Sequence, residues 1–470
     1  MKKLLSGLMA GAVVISSASS LVACSKFTVI SEIYLVTDSG KISDKSFNQS
    51  SYEAGNEFLQ QVVAKVDPTY ANSKIAKIEP ENASTKILKN QYNNAKNNGA
   101  KTILLPGFHH ANPGEGEYLA GQIMKDVEQG SSIMLDGANF SDNEIGFNFR
   151  GDISGFYAGM GSIIWSLQQK DVETDVSLGS FGGISNPQAV DNFIVGYLAA
   201  IDVFNKYKET EAGKSTLTKE VKDGGFGLDE KALNRTVKRT QDNLPLDTAD
   251  SLWYTQSFAQ GDAVNISKNL ISLKSTVIMP VAGPQTLDVL GVSKTHDGGN
   301  TVKVIGVDTN QADAFPQHKG MFLTSAEKDL KNSTIAGLAH TKYWMEKYKN
   351  NLLEKLKEHL DDKITLTREV KNKDGEVSEY KSVDLDEPYS WEGQTLWVGG
   401  NMSSGGNNLL DEDTAKNIKS VFKPETLTDA SIELFESIAA KNYGKTLINK
   451  DIIEAYVNTI INKGGFTYNG

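Results

Sequence analysis

The sequence predicts an α/β protein with two lobes, each a parallel sheet covered by helices. Short apolar strands alternate with stretches of helical periodicity along most of the 470 residues, which is the pattern of βαβ units. The alternation restarts near residue 149, and a chain of this length exceeds a single domain of ordinary size. Polar residues follow several of the predicted strands, at the strand ends where open α/β sheets bind ligands.

The first lobe is predicted over residues 24–148. Its first strand is the apolar run 33–36, and Asp44 is the predicted N-cap of the helix that follows. Behind Asp44, apolar residues recur at helical spacing: Phe47, Ala54, Phe58, Val62, Val63 and Val66. The other elements are strands over 74–79, 101–105 and 132–135 and helices over 84–97 and 115–129.

The second lobe is predicted over residues 149–325, after which the chain returns to the first lobe over about 326–353. Pro187 fits the first turn of a long helix in this lobe. Its strands are predicted over 176–178, 276–279 and 302–307, and the run 322–325 crosses back between the lobes. Residues 388–470, with a late strand at 396–398, are assigned to this lobe as well. Charged, weakly periodic stretches at 206–250 and 354–387 are predicted as insertions, the first solvated and the second a hairpin.

Composition narrows the class of protein. The formal net charge is −11, with 39% hydrophobic and 23% charged residues, which predicts a folded soluble body. Loss of Lys2 and Lys3 with a leader would make the charge −13, that is −11 minus 2. An acidic chain of this kind argues against nucleic-acid binding and against electrostatic attachment to membranes.

The single cysteine, Cys24, lies at the end of a leader pattern. Lys2 and Lys3 precede an apolar stretch over 4–21, and residues 21–24 read LVAC, which fits a bacterial lipobox. We expect a signal peptide over residues 1–23 and lipidation of Cys24, so that acyl chains anchor the protein to the membrane. An ordinary secretory signal with a chance cysteine is the alternative. No later stretch reaches the ~18–20 apolar residues of a membrane span.

The candidate motifs for catalysis and for metal binding are incomplete in this sequence. Two Gly-Lys-Ser/Thr triplets, at 213–215 and 444–446, lack the earlier glycine of a phosphate loop. His109 and His110 are adjacent, which makes a poor chelate, and we expect them in a loop near a cleft rim. We therefore predict no enzymatic activity, no metal and no cofactor.

One stretch carries more information than the rest. Asp38 follows the first strand, Gly40 lies two residues later, and residues 44–48 read DKSFN. This run resembles the opening motif of the basic membrane protein family, the purine-nucleoside-binding lipoproteins of bacterial ABC importers. The resemblance covers roughly residues 28–350 and is weak beyond them. It implies a type I periplasmic-binding-protein fold with three crossovers and a hinge, whose closed form delivers its ligand to a membrane permease.

The resemblance also implies which residues bind the nucleoside. It assigns base contacts to Asp38, Phe47 and Asn48 and matches the family's aspartate after the fourth strand to Asp136. It assigns the ribose to Gly283, Asp308 and Lys328. Phe193 matches the family's second aromatic residue, so that the rings of Phe47 and Phe193 would enclose the base from opposite lobes. Asn310 replaces the second aspartate that the family has after its Gly-Val-Asp motif.

Each of these residues also has a structural interpretation. The two phenylalanines fit core positions, the aspartates fit turns, and Lys328 fits a solvated helix. At the level of function we expect a monomer that binds a purine nucleoside and no nucleic acid. Two alternatives stay open: the same scaffold with another small ligand such as a sugar or autoinducer, and a surface adhesin whose pocket is idle.

Overall fold

The computed structural model describes residues 27–38, 40–111, 119–169, 174–242, 252–295, 302–360, 363–373, 377–422, 448 and 450–463. Cys24 and the predicted signal peptide lie outside the described residues, as do residues 115–118 of the helix predicted over 115–129. Within the described residues the strands form two sheets, and each sheet is the centre of one lobe.

Lobe 1 is organised around an eight-stranded sheet with the order β12-β11-β13-β5-β4-β3-β1-β2. Its strands are β1 (Thr28–Val36), β2 (Ser73–Ile78), β3 (Thr102–Pro106), β4 (Ser131–Leu135), β5 (Glu144–Phe149), β11 (Leu366–Lys371), β12 (Val377–Ser382) and β13 (Gln394–Val398). Its helices are α1 (Phe47–Glu57), α2 (Thr85–Asn97), α3 (Ala120–Met124), α11 (Leu330–Ala339), α12 (Lys342–Tyr348) and α13 (Asn350–Leu360).

Lobe 2 is organised around a six-stranded sheet with the order β14-β10-β9-β8-β6-β7. Its strands are β6 (Val176–Gly182), β7 (Val237–Arg239), β8 (Val277–Val281), β9 (Lys303–Asp308), β10 (Phe322–Lys328) and β14 (Gly400–Met402). Its helices are α4 (Gly151–Leu167), α5 (Asn192–Tyr207), α6 (Glu211–Thr218), α7 (Glu230–Leu233), α8 (Val264–Ser272), α9 (Thr286–Thr295), α10 (Gln311–Ala314), α14 (Glu412–Phe422) and α15 (Lys450–Lys463).

Both lobes have the same topology. The five parallel strands that open each lobe are arranged in the order 2-1-3-4-5, a doubly wound arrangement in which helices cover both faces. The prediction of two Rossmann-like lobes of the type I periplasmic-binding-protein kind is confirmed. Their cores are fully buried and apolar, with Phe147 in lobe 1 and Phe204 in lobe 2 among the residues with no exposed surface.

The chain passes between the lobes at three places that lie side by side. They are the junctions of β5 with α4, β10 with α11, and β13 with β14. Backbone N of Arg150 donates to the carbonyl of Val398 at 2.9 Å, which ties the first passage to the third. The Ser154 hydroxyl donates to the carbonyl of Glu327 at 2.7 Å, which ties the first to the second. Three adjacent passages form the hinge region that the resemblance implied.

Two of the predicted boundaries need correction. Strand β13 pairs in parallel with β5 in the sheet of lobe 1, so residues 388–470 do not all belong to lobe 2. Of the described elements in this range, β14, α14 and α15 belong to lobe 2. The prediction that the charged stretch 206–250 is a solvated insertion also needs correction. Strand β7 extends the lobe 2 sheet, and Leu217 and Phe226 are fully buried in its core. The second charged stretch contains the predicted hairpin, β11 with β12.

Candidate functional site

A cavity of about 820 Å³ lies between the lobes at the carboxyl ends of their strands. This is within the ~300–1,000 Å³ range of small-molecule sites. Lobe 1 contributes Asp38, Ser46, Phe47, Asn48, Phe108, His109 and Asp136, and lobe 2 contributes Ala189, Phe258, Gly283, Asp308 and Lys328. Seven of the eight residues predicted to bind ligand therefore line one cavity; Phe193 does not.

Lys328, the last residue of β10, is the electrostatic centre of the cavity. Its Nζ donates to Asp136 Oδ2 at 2.5 Å and to the carbonyl of Ala189 at 3.0 Å, and it lies 3.7 Å from Asp308 Oδ1. The Lys328 side chain is 2% exposed and that of Asp136 is 5% exposed. Burial raises the pKa of Asp136 to about 6, Lys328 opposes this rise, and the neighbouring carboxylates of Asp308 and Asp38 add to it.

Asp308 connects the lobes from the other side. Its Oδ2 accepts a hydrogen bond from the Ser46 hydroxyl of lobe 1 at 2.7 Å. A Cβ on Gly283 would lie 2.2 Å from that hydroxyl oxygen, so a glycine is what allows the lobes to approach this closely. Asp136 and Asp308 have φ angles of 74° and 67°, a left-handed conformation that is strained for residues other than glycine. Such strain is concentrated at functional sites.

The N-cap of α1 is Ser46 rather than the predicted Asp44, but Asp44 still orients the start of the helix. Its carboxylate accepts hydrogen bonds from backbone N of Ser46, Asn48 and Gln49, at 2.8, 2.9 and 3.1 Å. It also accepts from Asn48 Nδ2 at 2.9 Å. The amide nitrogen of Asn48 is thereby occupied, while Asn48 Oδ1 is buried and has no hydrogen-bond partner among the residues that the structure describes. Asp136 Oδ1 is in the same state. The cavity thus offers two buried acceptors that a ligand could satisfy.

Aromatic rings surround Lys328. Its Nζ lies 5.1 Å from the ring centroid of Phe47, 5.9 Å from that of Phe149 and 5.2 Å from that of Phe193, within range of cation–π attraction. Phe47 is half-buried and lines the cavity. Its ring meets that of Phe149 edge-on, with centroids 6.4 Å apart. Phe47 therefore presents an aromatic surface beside the buried charges.

Phe193 lies in the core. It has no exposed surface, and its backbone carbonyl and ring pack against Gly155 and Gly151 of α4. The apolar face of α5 that contains Phe193 is the face that packs on α4, and small glycines there bring the two helices close. The expectation that Phe193 and Phe47 enclose a flat ligand therefore needs correction.

Three of the aromatic side chains that line the cavity had no predicted role in binding. Phe108 and His109 follow β3 in lobe 1, and Phe258 comes from the loop before α8 in lobe 2. The ring of Phe108 stacks on His109, with centroids 4.4 Å apart and planes at 22°. Phe258 meets both rings edge-on, at 6.0 and 6.1 Å. The sequence placed Phe108 just after a predicted strand and His109 in a loop near the cleft rim, and it gave no signal for Phe258.

Asp38 is engaged within lobe 1. Its Oδ2 is 2.8 Å from His109 Nδ1, and its Oδ1 accepts from backbone N of Gly40 at 3.1 Å. Burial acts to raise the pKa of Asp38, but the hydrogen bond and Coulombic attraction of His109 outweigh it, so the pKa lies below its usual range. Asp38 is an anion in the cavity wall.

The side chains that line the cavity are arranged to bind a ligand rather than to activate a nucleophile. Its polar groups are carboxylates, a lysine and an amide that are held by one another, with aromatic rings beside them. Within the described ranges, no three His, Cys, Asp or Glu side chains cluster in a way that could hold a metal ion. No helix in the described part of the chain has both the length and the apolar character needed to cross a membrane.

Comparison with known proteins gives distant structural similarities only. No family model matches the sequence, and no curated protein matches it. An ABC transporter solute-binding protein from Aeropyrum pernix is 12% identical with a TM-score of 0.49, over 92% of this chain and 85% of that one. A transcriptional activator of the comK gene from Bacillus halodurans is 12% identical with a TM-score of 0.45, over 83% and 95%.

A third solved structure, an ABC transporter solute-binding protein from Clostridium phytofermentans with bound β-D-glucose, is 14% identical with a TM-score of 0.43. It matches over 83% of this chain and 96% of that one. All three scores lie below 0.5, so the assignment of the fold rests on the strand order and the three interlobe passages described above.

Proposed function

We propose that the protein is an extracytoplasmic substrate-binding protein of an ABC importer, and that it binds a purine nucleoside in the interlobe cavity. The observation that carries this proposal is the cluster of Lys328, Asp136 and Asp308 beside the ring of Phe47. Charged side chains that are this deeply buried are costly unless paired, and here they converge on a cavity rather than on a packed core.

The chemistry of the cavity fits a ligand with a flat face and several hydrogen-bond donors. Stacking of a base on an aromatic ring contributes about 1–3 kcal/mol, and Phe47, Phe108 and Phe258 are the rings that line the cavity. One oxygen each of Asn48 and Asp136 has no partner within the described ranges. Each requires an N–H or O–H donor, which the base edge and ribose hydroxyls of a nucleoside supply. A buried polar site of this kind rejects ligands that lack the matching groups.

The lobes provide the conformational step. Ser46 and Asp308 join the lobes across the cavity, and the three adjacent passages of the chain connect the lobes on one side. Rotation about these passages would open the cavity to solvent, and ligand would favour the closed form. The closed form would then be what a permease recognises. In this proposal the protein acts as a monomer, is anchored through lipidated Cys24, and catalyses no reaction.

A second candidate is a sugar-binding protein on the same scaffold. The withdrawal of Phe193 into the core removes one of the two rings expected to enclose a base, which favours this alternative. Asp136, Asp308 and Lys328 could hold vicinal hydroxyls of a hexose as well as those of ribose. The two candidates differ in whether the base of a nucleoside contributes to the binding free energy.

Thermal unfolding with a panel of ligands separates these proposals. Inosine, guanosine, adenosine, their free bases, ribose and glucose are each added to purified protein shown to be free of ligand. At 100 times its dissociation constant, a ligand adds about 2.7 kcal/mol to the stability. A shift with nucleosides that is lost in Phe47→Ala supports the proposal, and a shift with sugars alone supports the second candidate. A flat response to all of them would favour an adhesin with an idle pocket.

A further inference from the structure

The carboxylate of Asp38 is turned toward lobe 1 itself. Both of its oxygens already have partners, Gly40 backbone N on Oδ1 and His109 Nδ1 on Oδ2. A Cβ on Gly107 would lie 2.5 Å from Asp38 Oδ2, and Gly107 has a φ of 109°. A glycine at this turn lets the chain after β3 pass close against the carboxylate. The turn therefore places His109 directly over Asp38.

His109 is fixed in orientation by its surroundings. The carboxylate accepts from Nδ1–H, so that in the neutral form of the imidazole Nδ1 holds the proton and Nε2 is an acceptor. Phe108 stacks on one face of the ring, and Phe258 of lobe 2 meets it edge-on with planes at 86°. The side chain is 22% exposed and lines the cavity. Nε2 makes no hydrogen bond within the described part of the chain.

We infer that His109 Nε2 is the ligand-contacting group at this end of the cavity and that Asp38 is a positioning residue that acts through it. The ligand group it accepts from is an N–H or O–H of the nucleoside. This inference rests on the proposed function and adds to it a specificity-determining residue. It also reassigns Asp38, for which the sequence implied a direct contact with the base.

The contact of His109 with Phe258 also links His109 to closure of the lobes. Phe258 belongs to lobe 2, so the imidazole stands at a junction of the two lobes and is enclosed only when they meet. A ligand donor that reaches Nε2 is therefore held in the closed form. Removal of the imidazole should weaken binding, and it should also lower the stability of the unliganded protein, because the largely buried Asp38 carboxylate loses its partner.

A double-mutant cycle tests the assignment, with inosine as the probe and calorimetric titration as the measurement. His109→Ala should raise Kd roughly tenfold, since one hydrogen bond to a buried acceptor is lost. Asp38→Asn should raise Kd severalfold. In the double variant, Kd should equal that of His109→Ala alone, because Asp38 has nothing left to position. His109→Gln, whose amide reaches the place of Nε2, should recover part of the affinity.

The matched control is His359→Ala. His359 also pairs with a carboxylate of lobe 1, Glu57, at 3.0 Å, but on the outside of the lobe, and its loss should leave Kd unchanged. Nitrogen NMR of the His109 imidazole uses the wild-type protein, so this measurement does not require that any variant folds. The Nε2 resonance of His109 should shift when inosine binds.

The outcomes separate the inference from the function on which it rests. If wild-type protein binds no purine nucleoside, the proposed function fails and this assignment fails with it. If inosine binds but the effects of His109→Ala and Asp38→Asn multiply in the double variant, Asp38 contacts the ligand itself and the inference is overturned. An Nε2 resonance that is unmoved by bound inosine overturns it as well.

Discussion

Lys328 of lobe 2 donates a hydrogen bond to Asp136 of lobe 1 at 2.5 Å, and both side chains are almost completely buried. The pair joins the lobes at the base of the cavity. Asp308 lies 3.7 Å from the same amine, so one cation serves two carboxylates. Asp136 Oδ1 has no hydrogen-bond partner in the described part of the chain, so it can accept a hydrogen bond from a ligand.

Replacement of this lysine should be severe. Lys328→Met would leave two buried carboxylates without a cation, and loss of one partner of a buried pair costs about 3–5 kcal/mol. Denaturant unfolding should show a loss of this order, and inosine binding should fall by more than tenfold. Lys331→Met is the control, because Lys331 is about half exposed and pairs with Glu57 at the surface. Such a pair contributes about 0–1 kcal/mol. Equal effects of the two substitutions would contradict the role of Lys328.

Stability should depend on pH through Asp136. Burial raises its pKa to about 6 from an ordinary value of 3.8. Between those values the folded state holds a proton that the unfolded state has released, so the contribution of Asp136 to stability falls as pH rises from about 4 to about 6. The change is at most about 3 kcal/mol, from the size of the shift.

Asp136→Asn cannot titrate and should lack this dependence. Denaturant unfolding of both proteins across pH 4–7 gives the difference in free energy, which isolates Asp136 from other groups such as Glu327, whose pKa burial raises to about 7. The wild type should lose stability relative to the variant as pH rises. A constant difference across this window would show that Asp136 titrates normally.

Closure of the lobes should depend on Gly283. Its Cβ position lies 2.2 Å from Ser46 Oγ and 2.6 Å from Ser46 Cβ, so Gly283→Ala would hold the lobes apart. We expect Kd for inosine to rise about tenfold, little change in the unfolding temperature of the unliganded protein, and a larger radius of gyration in X-ray scattering. Gly291→Ala is the control, since no atom outside α9 lies within 4 Å of that Cβ position. An unchanged Kd in Gly283→Ala would refute the close approach.

The two phenylalanines should behave differently. Phe193→Ala removes a fully buried ring and should cost about 3–5 kcal/mol of stability. Phe47→Ala removes a half-buried ring that lines the cavity and should cost about 1–3 kcal/mol of binding free energy instead. Denaturant unfolding and calorimetric titration of each variant separate these effects. If Phe193→Ala folds stably and loses binding, the original assignment of both rings to the ligand is restored.

The sequence predicted the architecture well where periodicity is strong. The strand–loop–helix unit around Asp38 and Asp44 was predicted closely, because capping and apolar spacing act locally. The convergence of Asp136 and Asp308 followed from their positions at strand ends, since parallel strands align those ends at one edge. Lys328 was assigned by the family resemblance alone, because the strand was predicted to end at residue 325 and the structure extends it to Lys328.

What the sequence could not predict depends on tertiary packing. Phe193 has the same local pattern whether its helix face meets a ligand or the glycines of α4. Phe258 lies in an irregular loop with no periodic signal, and only the apposition of the lobes brings it against His109. Strand β13 joins lobe 1 by pairing with β5, for which the sequence pattern predicted no strand.

Calorimetric titration of the ligand-free protein with inosine is the most direct test of the assignment of the cavity. We expect saturable binding with one site per chain, and a loss of at least tenfold in affinity in Lys328→Met with Lys331→Met unchanged. Heat of dilution alone for inosine, guanosine and adenosine, from protein with an intact unfolding transition, would contradict the assignment of the cavity to purine nucleosides.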